Sequence, residues 1–510
     1  MSNIIRLKAH DQSEVQFVDN GSPMQGGLKD VYFSPDKSYV VAFFRDKLTP
    51  AEYSGLRDRL LEITGRMRER IFSQAGGDYW KDLYCWPTKV VEYGGKIGIV
   101  APTYPGHFFF KVGYNRAASA IANISGKEKE GKWFAAAQFR NPNFKLHLDK
   151  SELGDWFKYV LVCIRIARAV RRMHAAGLAH SDLSYKNVLI DPSTGNAAII
   201  DIDGLVVPGK FPPDVIGTPD FIAPEVLATR SLAKTDPNRK LPSIATDRHA
   251  LAVMIYMYLL YRHPLRGGKV NDITDSDKDE ELSMGNKALF VEHPTDLSNR
   301  PKLKQVKPTH LPWADVDKIP YTVCGPYLKE LFDKAFIEGL HNPSKRPLAD
   351  EWEQALIKTV DLMQPCQNPS CDQKWFVFNN TTSPKCPFCG TAYKGQLPVL
   401  NLYFQRSAGK WVEEKHRIMV YSNQYIYSWH MDRTITPNER LTAEQKKPVG
   451  YFVLQNGKWL LINQQMPKMK DVTESKDIGI GEFVELTDGK QILLSPDDGG
   501  RLIIVQLVNN

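Results

Sequence analysis

Hydrophobic and polar positions alternate over residues 14–47, and turn signals such as Asn20-Gly21 and Ser34-Pro35 interrupt them. This pattern predicts β-hairpins. From Pro50 to Phe72 apolar residues recur every three or four positions, which predicts an amphipathic helix. Two further strands are predicted at 88–91 and 96–101, on either side of a Gly-Gly turn.

The middle of the chain changes to a helical period. Residues 153–176 predict a long amphipathic helix, with basic residues near its end where they suit the helix dipole. Loops and short strands follow to Gly204, and helices resume from Ala223 to Val360. Residues 111–150 are rich in small and charged side chains and are interpreted as an insertion. Beyond Met363 a cysteine-bearing stretch and then short β-type runs are predicted.

Length and charge narrow the class of protein. A chain of 510 residues is too long for one hydrophobic core, so we expect two to four domains. The net charge of +8 is mixed along the chain, and this pattern does not favour nucleic acid or lipid as a partner. The first residues lack the apolar core of a signal peptide, and the apolar run 250–261 is too short to span a bilayer. We therefore expect a cytoplasmic protein without a membrane contact.

One segment carries residues suited to phosphoryl transfer. The string H-S-D-L-S-Y-K-N at 180–187 lies between a predicted helix and a predicted strand, and Asp201-Ile202-Asp203 follows the next strand. Phosphoryl transfer from ATP needs a carboxylate that orients the attacking hydroxyl, and an amide and a carboxylate that hold Mg²⁺. Asp182, Asn187 and Asp201 offer these groups in that order.

These segments resemble the protein kinase catalytic loop, H-R-D-L-x-x-x-N, and its metal motif, D-F-G. Residues 217–225 are similar to the end of a kinase activation segment, and Asp247 to the buried aspartate of a central helix. Arg346 is expected to pair with Glu225. The resemblance covers about residues 10–362 and implies an α+β, bilobal protein kinase fold, with an N-lobe at 1–104 and a C-lobe at 105–363. It implies an ATP- and Mg²⁺-dependent kinase that phosphorylates Ser or Thr of a protein substrate.

Three residues depart from the kinase pattern. Ser181 replaces the arginine that meets a phosphorylated activation loop, so that switch is not expected. Ser184 replaces the usual lysine, and Lys186 is instead expected to contact the transferred phosphate. Asp203 supplies a second carboxylate, as in small-molecule kinases, and is expected to help Asn187 and Asp201 hold Mg²⁺. Small-molecule substrates therefore stay open.

The nucleotide lysine is displaced in this sequence. The V-A-F-F string at 41–44 puts Phe44 where kinases carry a third-strand lysine, and taken alone it predicts a pseudokinase scaffold that binds nucleotide and partners without catalysis. Residues 26–32 resemble the with-no-lysine kinases, whose lysine enters from the second strand. That resemblance implies that Lys29 contacts the ATP phosphates, with Arg45 as the competing cation.

Other nucleotide contacts follow from the same resemblance. Gly26 and Gly27 would belong to the phosphate loop, and residues 99–104 to the hinge that binds adenine. The glutamate that pairs with the nucleotide lysine is assigned to Glu62 by its distance along the chain. Glu52 is the alternative, because it fits the apolar stripe of the predicted helix better.

The cysteines cluster near the end of the kinase-like region. Cys366, Cys371, Cys386 and Cys389 form two closely spaced pairs in a chain without a secretion signal, which favours metal over disulfides. Four thiolates suit a tetrahedral zinc ion and leave no open position for water. We therefore predict a structural zinc ribbon at 364–395.

The tail, 396–510, is predicted to be an all-β domain. Residues 481–489 and 501–508 resemble the last strands of a forkhead-associated sandwich, with an oligonucleotide-binding barrel or an unassigned β-domain as the alternatives. Residues 421–423 and 428–430 lack the family's Gly-Arg and Ser-x-x-His, so phosphothreonine recognition is expected to be lost. The order kinase, ribbon and β-domain resembles bacterial kinases of tellurium-resistance clusters. It implies a von Willebrand A domain protein and a metal-dependent protein phosphatase as partners.

Overall fold

The computed structural model describes residues 3–25, 29–73, 76–114, 123–206, 217–233, 235–378, 383–407 and 409–508. The chain divides into two compact units. The first comprises Met1–Gly154, Leu161–Lys318 and Phe332–Trp352, and the second Asp155–Val160, Ile319–Leu331 and Glu353–Asn510. Within the described ranges, no helix has both the length and the apolar character that a membrane crossing requires.

The first unit begins with antiparallel strands, as the alternating pattern predicts. Strands β1 and β2 form a two-stranded sheet, and a five-stranded sheet follows in the order β3-β4-β5-β7-β6. Alternate residues of β5 and β7, such as Val41 and Val100, point into a shared apolar core. The strands are β1 Asn3–Lys8, β2 Glu14–Asp19, β3 Met24–Gln25, β4 Lys29–Phe33, β5 Tyr39–Phe44, β6 Lys89–Tyr93 and β7 Lys96–Pro102.

The helix predicted from Pro50 to Phe72 is present but broken. Helix α1 spans Pro50–Glu62 and α2 spans Arg68–Phe72, with a π-helical turn at Ile63–Met67 between them. A capping box between Thr49 and Glu52 starts α1. The break falls at Gly65, whose φ of −96° and ψ of −106° are not helical. A glycine allows such a backbone at low steric cost.

The rest of the first unit is largely helical around a buried centre. Helix α7 is apolar on all sides, and most of its residues are buried. The helix predicted at 153–176 corresponds to α5, and α7 lies within the helical stretch predicted from Ala223 to Val360. The elements of this unit are α3 Gly77–Lys81, α4 Lys150–Leu153, β8 Val188–Asp191, β9 Asn196–Ile199, α6 Pro224–Leu227, α7 Ile244–Leu260 and α8 Ser276–Met284. Three further helices have residues in both units, namely α5 Trp156–Ala175, α9 Pro326–Asp333 and α10 Ala349–Asp361.

The second unit is built mainly from strands. One sheet has the order β13-β12-β21-β20-β17-β18 and another β14-β15-β16-β19, and residues of both sheets share one core. The elements are β10 Met363–Pro365, β11 Trp375–Val377, β12 Leu397–Ser407, β13 Lys410–Met419, β14 Tyr425–Tyr427, α11 Ser428–Met431, β15 Pro448–Gln455, β16 Lys458–Asn463, β17 Lys470–Asp471, β18 Lys476–Asp477, β19 Phe483–Glu485, β20 Gln491–Leu493 and β21 Arg501–Val508.

Candidate active site and metal centre

The loop that carries Asp182 is anchored by a buried carboxylate on α7. Asp247 accepts the backbone N–H of His180 at 2.7 Å and that of Ser181 at 3.2 Å. The imidazole of His174 lies 3.2 Å from the same carboxylate. A buried charge needs such donors to offset its loss of water. Ser181 has a left-handed φ of 71°, so these hydrogen bonds hold the loop in a turn that a serine rarely adopts.

Asp182 is oriented by two neighbours. The side-chain amide of Asn187 donates to the Asp182 carbonyl at 2.8 Å and to its Oδ2 at 3.0 Å. Thr218 donates its backbone N–H at 2.5 Å and its hydroxyl at 2.7 Å to Oδ1. Because the Asn187 nitrogen is used in this way, its Oδ1 is left for another ligand, such as a metal ion.

Lys29 meets the carboxylates that follow β9. Its Nζ lies 2.7 Å from both Asp203 oxygens and 3.1 Å from Asp201 Oδ1. Burial lowers the pKa of Lys29, but the charges of Asp203 and Asp201 outweigh burial and raise it. Burial likewise raises the pKa of Asp201, and the ammonium of Lys29 reverses that effect and lowers it. Asp201 has a left-handed φ of 58°, which is uncommon for an aspartate.

Lys29 lies on β4 directly opposite Phe44 on β5. Its ammonium is 5.2 Å from the centroid of the Phe44 ring. Lys29 therefore enters the site from the strand next to the one that carries the usual lysine. Arg45 lies instead 3.9 Å from Asp30.

The predicted glutamate partner is not brought to Lys29. Glu62 lies 2.6 Å from Arg66, one helical turn further on, and Glu52 accepts hydrogen bonds from Thr49 at the start of α1. Among the described residues the polar partners of Lys29 are the two carboxylates after β9. The reason is competition, because those two charges hold the ammonium in place.

Lys186 is among the described residues, whereas the two glycines of the predicted phosphate loop are not. Lys186 is exposed, and within the described ranges its side chain has no hydrogen-bond or ion-pair partner. Gly26 and Gly27 lie outside the described residues.

The predicted pair of Arg346 and Glu225 is present, with two hydrogen bonds of 2.8 and 2.7 Å. Arg346 is buried, and it also donates to backbone carbonyls, which is a structural role.

An apolar cluster borders the carboxylates, and the motifs alone did not identify it. Phe108, Leu189 and Ala198 pack together, with Cys85, Tyr104 and Ile200 against them. Burial, and then the negative charges nearby, raise the pKa of Tyr104. The only sequence signal was that Tyr104 ends the predicted hinge, because contacts between distant segments leave no local pattern.

The four predicted cysteine ligands converge in the second unit. Their sulfur atoms all lie within 4.8 Å of one another. Cys366 Sγ is 3.5 Å from Cys389 Sγ, and Cys371 Sγ is 4.0 Å from Cys386 Sγ. Zinc bound tetrahedrally by four thiolates at about 2.3 Å would separate the sulfurs by about 3.8 Å. The cluster therefore fits a metal ion of this kind.

Comparison with known proteins identifies the region around the loop of Asp182. Residues 144–353 match the protein kinase domain family. A stretch of 124 residues is 33% identical to the death-associated protein kinase dapk-1 of Caenorhabditis elegans, and this covers 24% of the chain and 8% of that protein. A stretch of 140 residues is 30% identical to the serine/threonine-protein kinase PkaB of Streptomyces coelicolor, covering 25% and 31%.

A third relative that matches part of the chain is also a protein kinase. The human serine/threonine-protein kinase H1 is 35% identical over 117 residues, which cover 19% of the chain and 25% of that protein. The chain thus spans less than a third of the length of each of these relatives. The matched segment includes the loop of Asp182, the carboxylates after β9 and the anchoring Asp247. The chain therefore contains a protein kinase domain.

Proposed function

We propose that this protein is an active Ser/Thr kinase that transfers the γ-phosphate of ATP to hydroxyl groups of protein substrates. The observation that carries the proposal is the contact of the Lys29 ammonium with the carboxylates of Asp201 and Asp203. A lysine from β4 reaches the carboxylates that suit Mg²⁺, so the phenylalanine at position 44 does not leave the site without a nucleotide cation.

The proposed mechanism assigns each side chain one task. Asp182 orients the substrate hydroxyl and accepts its proton, as the hydroxyl oxygen forms a bond to the γ-phosphorus and the bond from that phosphorus to the β-phosphate oxygen breaks. ADP keeps the electrons of the broken bond. Asn187 Oδ1, Asp201 and Asp203 would hold Mg²⁺, which supplies positive charge against the phosphates. Lys29 would then turn to the phosphates, and Lys186 would contact the transferred group.

Thr218 supports Ser or Thr as the acceptor. Its hydroxyl and its N–H both bind Asp182, so the segment that ends in Glu225 lies against the catalytic carboxylate. The same proposal includes a structural zinc ribbon, a β-domain of the forkhead-associated type and a cytoplasmic location. It also includes two partners, a von Willebrand A domain protein and a metal-dependent protein phosphatase, which rest on resemblance alone.

The second candidate is a pseudokinase scaffold. The observation that favours it is the ion pair itself, because Lys29 neutralises the carboxylates that a metal would need. In a scaffold that arrangement would persist when nucleotide binds. In an enzyme Asp201 and Asp203 would hold Mg²⁺, and Lys29 would leave these carboxylates for the phosphates.

Phosphate transfer from radiolabelled ATP separates the two candidates. We expect the purified full-length protein to label itself or a general protein substrate in the presence of Mg²⁺, and Asp182→Asn to abolish labelling. Asp82→Asn is the matched control, because Asp82 is an exposed aspartate of the same unit. Labelling by Asp182→Asn at the wild-type rate, or none by the wild type despite nucleotide binding, would contradict the kinase proposal.

A further inference from the structure

The four cysteines of the candidate metal centre differ in their access to solvent. Cys371 and Cys386 are buried, with 4% and 0% of their surface exposed, and we call them the buried pair. Cys366 is half-buried and Cys389 is exposed, and we call these two the exposed pair. A dissolved oxidant can therefore reach one half of the cluster more easily than the other half.

The sulfurs of the exposed pair are also closer together. The Sγ atoms of Cys366 and Cys389 lie 3.5 Å apart, against 4.0 Å in the buried pair. A disulfide has a bond of about 2.05 Å, so a shift of roughly 1.5 Å would join the exposed sulfurs. Gln367 keeps the two segments together, because it donates to the Lys394 carbonyl at 2.9 Å and accepts the Lys394 N–H at 2.7 Å. These hydrogen bonds do not depend on a metal ion.

A hydroxyl group lies next to the more exposed sulfur. Cys389 Sγ is 3.2 Å from Thr391 Oγ1. A hydroxyl can rotate its proton, so Thr391 can donate a hydrogen bond to Cys389 when the cysteine is a thiolate. The thiolate is the form of cysteine that binds zinc and also the form that reacts with peroxides. Cys389 thus combines exposure with a neighbour that supports its reactive form.

We propose that Cys389 is a site of oxidation by hydrogen peroxide and that this oxidation releases zinc from the ribbon. The inference rests on the structural zinc of the proposed function and adds a response to oxidants. The Cys389 thiolate would attack one peroxide oxygen, so that an S–O bond forms, the O–O bond breaks and hydroxide leaves. The Cys366 thiolate would then attack the sulfur of this sulfenic acid, so that an S–S bond forms, the S–O bond breaks and a second hydroxide leaves.

The two steps balance in electrons and protons. Two thiolates lose two electrons in forming the disulfide, and hydrogen peroxide accepts both of them. Each hydroxide takes up a proton from the solvent and becomes water.

The disulfide would remove two of the four zinc ligands. The buried pair alone cannot complete a tetrahedral site, so the affinity for zinc would fall steeply. Cys371 and Cys386 pack with Leu397, Val399 and Val508 in one apolar cluster. Loss of the metal would therefore weaken this cluster, since the free energy of metal binding contributes to the free energy of folding.

The test follows zinc in the full-length protein. Elemental analysis first gives the zinc content of the purified protein. Hydrogen peroxide is then added, and a zinc-binding dye reports the release. We expect zinc to leave in step with formation of a disulfide between Cys366 and Cys389, which mass spectrometry of the digested protein identifies. Dithiothreitol and added zinc should restore the bound metal, because a disulfide is reversible.

Two variants locate the reactive sulfur. Cys389→His keeps a zinc ligand but removes the thiol. It should bind zinc and release it at least about ten-fold more slowly in peroxide, because an imidazole forms no sulfenic acid. Cys85→Ser removes a half-buried thiol outside the cluster and should release zinc at the wild-type rate.

The order of oxidation in the wild type gives a second measurement, which decides if Cys389→His does not bind zinc. Alkylation of the remaining thiols should find Cys366 and Cys389 oxidised before the buried pair. Release at the same rate from Cys389→His and the wild type, or first oxidation of the buried pair, would overturn the inference. Wild-type protein purified without zinc would refute the structural metal, while the order of oxidation would still decide whether Cys389 is the oxidation site.

Discussion

At the residue scale, Lys29 has to satisfy two roles. Its ammonium contacts the carboxylates of Asp203 and Asp201 and offsets the repulsion between these two negative charges in a partly buried place. A divalent cation would bind the same two carboxylates more strongly, because it carries twice the charge. Occupation of the site by Mg²⁺ would then release the ammonium toward the phosphates.

Lys29→Met should therefore lower kcat/KM by about a hundred-fold, the usual cost of one charge-stabilising donor. Arg45→Met should change it by less than about three-fold, because Arg45, just after β5, lies 3.9 Å from Asp30 in a half-buried ion pair and, within the described ranges, does not contact the carboxylates after β9. Phosphate transfer rates measure both variants, and thermal unfolding checks that each is folded. A larger loss with Arg45→Met would make Arg45 the nucleotide cation.

A buried carboxylate in the second unit gives a pH dependence. Asp361 ends α10 and lies 2.7 Å from His416 Nε2 and 3.1 Å from His430 Nε2. Burial raises the pKa of Asp361, but the charge of His430 and the hydrogen bonds from both imidazoles lower it well below its usual value. A carboxyl group with a depressed folded-state pKa stabilises the fold above its unfolded pKa of about 3.9 and loses that effect as the pH falls below it.

Asp361→Asn should accordingly destabilise the protein at neutral pH by about 3 kcal/mol, the scale for breaking a buried ion pair. The difference from the wild type should shrink as the pH falls below about 4, because the carboxyl of the unfolded wild-type chain then takes up a proton, which lowers the stability of the wild type. Calorimetry across this pH range measures the effect. Asp477→Asn, on the exposed strand β18, is the control and should match the wild type at each pH. A pH-independent difference would remove Asp361 as the titrating group.

The predictability of the site differs from residue to residue. Asp182, Asn187 and Asp201 were predicted as site residues because they lie in two short motifs that follow each other in a fixed order, and their roles stay predictions. The contact of Lys29 with Asp201 and Asp203 joins distant parts of the chain, and no local pattern marks such a contact. The sequence therefore predicted that Lys29 contacts the ATP phosphates, but not that it pairs with these two carboxylates. Glu62 was predicted to pair with Lys29, but its carboxylate lies 2.6 Å from Arg66, four residues further along the same helical segment.

At the scale of elements, the helix from Pro50 to Phe72 shows what a period can predict. Its apolar repeat predicts a helix but not the break at Gly65, where the backbone leaves the helical region. Arg172 on α5 donates to the Ile71 carbonyl at 2.8 Å and thereby ties the end of α2 to α5. Such contacts between elements influence where a helix bends, and the spacing of apolar residues along that helix does not reveal them.

The cysteine cluster supports a prediction about metal content. Elemental analysis should find one zinc ion per chain, and Cys386→Ser should lose it and lower the midpoint of thermal unfolding, because one of four metal–ligand bonds is removed. Cys324→Ser changes an equally buried cysteine outside the cluster and should keep the zinc. Zinc-free protein with the wild-type midpoint would contradict a structural metal.

At the scale of the whole molecule, the chain forms two compact units, and the domain boundaries at 104, 363 and 395 stay predictions. Composition marks a change of residue type, but it does not reveal which segments share a core. Cys371 and Cys386 pack with Leu397, Val399 and Val508, so the cysteine segment and the strands that follow it share apolar contacts. The β-rich character of the tail was predictable from its short runs and turns.

The β-rich tail should not recognise phosphothreonine. Among its basic residues, Arg433 lies over the Phe404 ring at 3.6 Å and 3.7 Å from Glu414, while Arg501 lies 2.7 Å from Glu414. His430 is buried against Asp361, so it is not presented to a ligand. A phosphate needs unpaired donors to offset its loss of water.

Titration of the full chain with phosphothreonine peptides should therefore give the same affinity before and after dephosphorylation. Micromolar binding that disappears on dephosphorylation, and that Arg433→Met weakens, would make the tail a phosphopeptide reader.

The shared core also sets an order of events during synthesis. Strand β12 lies between β13 and β21 in its sheet, and β21 is the last strand of this unit to be made. The apolar side chains around Cys371 and Cys386 cannot be fully covered until Val508 has emerged from the ribosome. The thiols of Cys371 and Cys386 thus lack their apolar cover for most of the time needed to translate the tail, and early capture of zinc would protect them from oxidation in that interval.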